Sequence, residues 1–154
     1  MTGRAATGSS ASPHEVSHQW WYGVVGDDQA REPWLDEAMA RFNELRYYEF
    51  YSPRDAGWWW REVIYRDAPG GTIDAPIYAF DSHAAYIDRV YDRGAIFLAA
   101  LRARVGARSF DAFLRDLYRR GSFRLITADD FFAVLGEHTR ADVRPVTGRF
   151  FANR

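Results

Sequence analysis

His14 and His18 are one helical turn apart in Ser12-Pro13-His14-Glu15-Val16-Ser17-His18, and they constrain the fold of this chain more than any other feature. Ser12 has the character of an N-cap and Pro13 that of a first helical residue. A helix begun there runs through the motif to about Tyr22 and ends near Gly23 or Gly26. At about 3.6 residues per turn, the two imidazoles share one helix face. Placed so, they can grip one metal ion, at about 2.0–2.1 Å each for zinc. Glu15 leaves the same turn and can reach water at an open coordination position. Glu37, on the next helix, completes the donor set. Two His, one Glu and an open fourth position make a catalytic arrangement, whereas structural zinc sites are normally closed by four protein ligands.

Composition limits the competing readings. The chain has no cysteine, so any metal must be held by His and carboxylate. The formal net charge is −1, which points to neither nucleic acid nor an anionic membrane. No apolar run approaches the ~18 residues of a membrane span. Met1–Pro13 is small and polar, without the apolar stretch of a signal peptide. Every basic residue is Arg.

Residues 1–12 read as a disordered lead ending on the Ser12 cap, and residues 13–154 as one all-α domain. Asp27 to Arg31 reads as a polar loop. A second helix begins near Pro33 and carries Trp34, Leu35, Ala38, Phe42 and Leu45 on its apolar side. Trp58 to Tyr65 is a short helix, and Asp67 to Pro76 a loop. A long helix covers about Ser82 to Val105, with Gly94 marking a close packing contact. Ser109 to Arg119 is helical. Thr127 or Asp129 caps a further helix with Phe131, Phe132 and Leu135 inward. The tail from Asp142 is weakly helical at best, and no strand is expected. His83 and His138 fit no metal spacing and read as surface or packing residues.

His14-Glu-Val-Ser-His18-Gln19-Trp20-Trp21 has the His-Glu-x-x-His pattern of zinc metalloproteases. With Trp34-Leu35-Asp36-Glu37-Ala38 it resembles the gluzincin zinc aminopeptidases of the aminopeptidase N type. Val90-Tyr91-Asp92-Arg93-Gly94-Ala95 is similar to that family's Tyr-x-Lys-Gly segment, and the resemblance extends over about residues 13–140. It implies the helical subdomain of a thermolysin-like zinc metallopeptidase catalytic domain acting on peptides. It also implies one zinc ion held by His14, His18 and Glu37, with Glu15 as general base. Tyr91 is implied as donor to the oxyanion, and Glu44 as a hydrogen-bond partner of a ligating histidine.

Three departures from the family pattern stand out. Ala38 stands where Gly is usual, and Arg93 where Lys is usual. The β-rich domain and the Gly-x-Met-Glu-Asn strand that anchors the substrate amine have no counterpart before His14. The expectation is a chain of low or no activity alone, whose Trp20, Trp21, Trp34 and Trp58–Trp60 await a missing β-rich domain or a second copy. Two other readings fit the same residues: a non-catalytic helical zinc-binding domain, and a metal-free interaction module that retains the motif.

Overall fold

The computed structural model describes residues 12–65 and 70–152. The lead expected over residues 1–11 and the start of the loop expected over 67–76 lie outside them. The first helix, α1 (Pro13–Ser17), opens as the sequence requires: Pro13 fills the first turn, and Ser12 Oγ accepts from the Glu15 N–H at 3.3 Å. It is shorter than expected. The Tyr22 N–H leaves the helical ladder to donate to Val25 O at 2.7 Å, and Tyr22 takes a φ of 100° to do so.

That turn delivers β1 (Val25–Asp27), which pairs in parallel with β2 (Arg124–Ile126), Gly26 opposite Leu125. No strand was expected. Each is three residues long and its partner lies far along the chain, so no local alternation marks it. Asp27, expected in a polar loop, is the buried last residue of β1.

The spine is α2 (Trp34–Tyr51), and its expected apolar residues Trp34, Leu35, Ala38, Phe42 and Leu45 are all buried. Next comes α3 (Pro53–Trp59), which runs into a π-helical turn, Trp60–Ile64. The stretch expected as one long helix is continuous but uneven. It comprises α4 (His83–Tyr86), capped by Ser82, a π-helical segment Ile87–Arg93, and α5 (Gly94–Val105). Gly94 does sit at a close approach: a Cβ there would collide with Ala38 Cβ. This contact seats α5 against α2 beside Glu37.

Beyond α5, α6 (Ala107–Gly121) and α7 (Ala128–His138) pack together, α7 opening on a Thr127–Asp130 capping box. Phe131 and Leu135 are buried and Phe132 partly so. The tail forms a definite helix, α8 (Arg144–Phe150), where little was expected. Phe150 and Phe151 lie 5.6 and 4.9 Å from the Phe97 ring, so buried aromatic packing fixes this helix where local propensity does not. The tryptophans are better covered than expected: Trp21, Trp34 and Trp59 are buried, while Trp20 and Trp58 remain about half exposed. No helix among the described residues is long and apolar enough to cross a membrane.

The Gly94 contact yields a test. Gly94→Ala should cost about 1–3 kcal/mol through overpacking against Ala38, read from the shift in urea midpoint. Adding Ala38→Gly should recover part of that loss. An unchanged midpoint in the single variant would refute the close contact.

Candidate metal centre

The five residues of α1 are too few to be helical alone, and the side chains around the site dock them on α2. His14 and Ser17 are buried, and Asn43 Nδ2 donates to Ser17 Oγ at 2.7 Å. Docking turns both imidazoles towards Glu37. His14 Nε2 lies 3.1 Å from His18 Nε2, and Glu37 Oε2 lies 3.2 Å from the first and 3.3 Å from the second. The three atoms form a nearly equilateral triangle. Among the described residues, this is the one group of three or more His, Cys, Asp or Glu donors able to converge on a single ion.

The remote ring nitrogens are also engaged. His14 Nδ1 lies 3.1 Å from Glu44 Oε1, the residue suggested by sequence, at ion-pair distance but without hydrogen-bond alignment. His18 Nδ1 lies 3.1 Å from the backbone oxygen of Trp21. That second partner was not foreseen, because a main-chain carbonyl has no residue signature. Glu44 is itself held by two donors that sequence reasoning missed, Trp59 Nε1 at 2.9 Å and Arg41 Nη1 at 3.1 Å.

Electrostatics follow from this packing. Burial disfavours a charge on His14, but Glu37 and Glu44 outweigh it and raise its pKa to about 9. The hydrogen bond to Glu37 raises His18 as well, against the effect of burial. Burial would raise Glu37, yet hydrogen bonds from His14, His18 and Tyr91 hold it down at about 2. Glu44 is also lowered, because His14, Arg41 and Trp59 outweigh its burial. Two acids on the β1 side behave oppositely. Burial, then the charges of Asp36, Glu37, Asp28 and Glu32, push Asp27 to about 8. Burial pushes Asp36 to about 6, despite a 2.6 Å bond from Gln29 Nε2.

Glu15 is exposed and lines a cleft of about 410 Å³ with His14, His18, Glu37, Glu44 and Tyr91. Tyr91 stacks on the His14 ring, centroids 5.4 Å apart and planes 8° from parallel. Burial, then the nearby Glu37 carboxylate, raises the pKa of its hydroxyl. The fold thus gathers all six residues singled out from the sequence. The other two histidines stay outside: His83 is exposed, and His138 Nε2 pairs with Asp116 at 3.0 Å between α6 and α7.

Comparison with known proteins identifies the family. The model of the peptidase family M1 domain matches residues 9–150. Aminopeptidase M1-B of Oryza sativa subsp. japonica is 27% identical over 143 residues, covering 85% of this chain and 16% of that protein. Aminopeptidase M1 of Arabidopsis thaliana is 25% identical over 134 residues, 79% of this chain and 15% of that protein. The M1 zinc metallopeptidase of Deinococcus radiodurans superposes with a TM-score of 0.66 at 26% identity, over 88% of this chain and 30% of that one. A mutant of that enzyme bound to a Tyr-Ser-Ala substrate matches with a TM-score of 0.66 at 25% identity, over 90% of this chain and 32% of that one. This chain spans a small part of the plant relatives and under half of the bacterial one. The family match over nearly its whole length, on top of a His-Glu-x-x-His helix facing Glu37, means that the chain belongs to peptidase family M1.

Proposed function

We propose that this chain is the helical, zinc-binding part of an aminopeptidase-type metallopeptidase, with His14, His18 and Glu37 holding one zinc ion. The donor triangle carries this reading. A tetrahedral ion with bonds of about 2.0–2.1 Å needs neighbouring donor atoms about 3.3 Å apart. The three edges measure 3.1, 3.2 and 3.3 Å. His18 has Nδ1 on the Trp21 carbonyl and His14 has Nδ1 beside the Glu44 carboxylate, so both rings turn Nε2 towards Glu37. Bound there, zinc would supply Lewis acidity and lower the pKa of water.

The chain's own groups divide the remaining work. Glu15, on the cleft wall, takes a proton from the attacking water and returns it to the leaving amine. Tyr91, kept protonated by its raised pKa, is an uncharged donor for a developing oxyanion once it exchanges Glu37 for substrate. A peptide substrate is supported by the tripeptide held by the mutant bacterial relative. Among the described residues, the carboxylates lining the cleft are Glu15, Glu37 and Glu44, each with a role already, so none of them remains to hold a substrate amine. Positioning can contribute about 7–11 kcal/mol to catalysis. The chain alone should therefore hydrolyse aminoacyl-anilides below the typical range of about 1–10³ s⁻¹, and turnover within that range would contradict this assignment of the cleft.

Equilibrium dialysis should find one zinc per chain. His18→Ala should weaken binding by more than the about 10–100-fold that loss of an outer partner costs. Equal affinity in that variant would remove the site assignment. Glu15→Gln should keep zinc and lose whatever hydrolysis the parent shows, and loss of zinc instead would give Glu15 another role.

The pH dependence should invert on adding metal. In the metal-free protein, stability from charged His14 is complete below its ordinary pKa of 6.5 and is lost as pH rises through about 9. Buried Asp27 stays protonated while its unfolded counterpart ionises, so stability also falls as pH rises from 3.8 towards about 8. Stability from Glu37 is present above its ordinary pKa of 4.5 and is lost as pH falls through about 2. The metal-free melting temperature should therefore fall between pH 6.5 and 9. Zinc binding displaces protons and strengthens over the same interval, so the stabilisation that zinc adds should grow. A zinc-induced shift that shrinks with rising pH would exclude binding through these histidines.

A further inference from the structure

Arg41 lies on α2 between Glu37 and Glu44, one turn from each. Its side chain is 19% exposed. Nε donates to Asp92 Oδ1 at 2.8 Å, and Nη1 donates to Glu44 Oε1 at 3.1 Å. That Glu44 oxygen is the one facing His14 Nδ1 at 3.1 Å. Asp92 is buried in the π-helical segment, next in the chain to Tyr91. One guanidinium thus spans the carboxylate that touches His14 and the carboxylate beside Tyr91.

Two like charges buried this close are costly unless a cation joins them. Glu44 and Asp92 come from different segments, so the cation also fixes their spacing. The planar fork of arginine offers separate N–H groups in set directions, whereas a lysine ammonium is a point donor on a flexible stem. Trp59 Nε1 fills the other Glu44 oxygen at 2.9 Å, so Glu44 has little freedom once Arg41 is in place.

We infer that Arg41 is a positioning residue of the metal centre: by bridging Glu44 and Asp92 it orients His14 and holds the turn that presents Tyr91. This goes beyond the ligand assignment and depends on the metal reading only where zinc affinity is measured. It makes Asp92, which touches none of the ligands, part of the same device.

The test uses the full chain with Arg41→Ala, Arg41→Lys, Asp92→Asn and the Ala/Asn double variant. Zinc affinity is read by chelator competition, and His14 ring nitrogen resonances by ¹⁵N NMR of the metal-free protein. Arg41→Ala and Asp92→Asn should each lower zinc affinity about tenfold, at the lower edge of what outer partners contribute. The double variant should bind no more weakly than Arg41→Ala. Arg41→Lys should recover only part, because charge returns without the fork. In every variant the His14 Nδ1 resonance should shift. It should stay in place in Arg46→Ala, which lies on α2 as Arg41 does and breaks a part-buried 2.9 Å pair with Asp111 of α6.

Asp92→Asn keeps shape and volume, so it decides the matter if Arg41→Ala fails to fold. Parent affinity and parent His14 resonances in folded Asp92→Asn would overturn the inference. So would a lower melting temperature with both readouts unchanged, since the pair would then be structural only. If the parent binds no zinc, the functional proposal fails, and the His14 shift still decides the role of Arg41.

Discussion

The contact of His14 with two carboxylates of α2 is the interaction on which the rest of this structure turns. Helix α1 has five residues and cannot persist in water by itself. It is held because His14 reaches Glu37 with one nitrogen and Glu44 with the other, at 3.2 and 3.1 Å. Those carboxylates are two turns apart on one face of α2, and Arg41 between them supplies the balancing charge. A single helix stripe therefore fixes His14, receives His18 from the end of α1, and supplies Glu37.

The opposite side of α2 explains how such a polar stripe is tolerated. Trp34, Ala38, Phe42 and Leu45 are buried there, with Phe97 and Phe131 edge-on to Trp34 at 5.9 and 5.1 Å. The apolar face anchors α2 in the core, so the polar face can hold converging charges without moving apart. Ala38 joins the two sides. It follows Glu37 in the chain and packs on Gly94, so the start of α5 is set by the same residue pair that sets the third donor. The π-helical segment before Gly94 then carries Tyr91 onto His14 and Asp92 onto Arg41.

What the sequence revealed was what repeats locally. The His14–His18 spacing, the Ser12–Pro13 start, the Thr127 cap and the apolar side of α2 each rest on residues within a turn or two. What stayed hidden depends on distant partners. The strands β1 and β2 are three residues each and meet across most of the chain. Helix α8 is weak by propensity and is fixed by Phe150 and Phe151 against Phe97. The early end of α1 follows from a hydrogen bond between Tyr22 and Val25 and from His18 reaching the Trp21 carbonyl, neither of which leaves a trace in residue type. The departure of Ala38 from the family's usual Gly is absorbed by Gly94, which supplies the missing space from the facing helix.

The same carboxylates decide the protonation of the donor triangle. Two imidazole nitrogens 3.1 Å apart repel unless a proton or another cation lies between them or beside them. Glu37 and Glu44 make the proton favourable, which is the physical content of the His14 pKa near 9. A proton at neutral pH thus lets His14, His18 and Glu37 lie within 3.1–3.3 Å of one another. Any cation that entered would have to displace that proton. The cost falls on proton release, and it is set by the two carboxylates that make the site attractive to a cation in the first place.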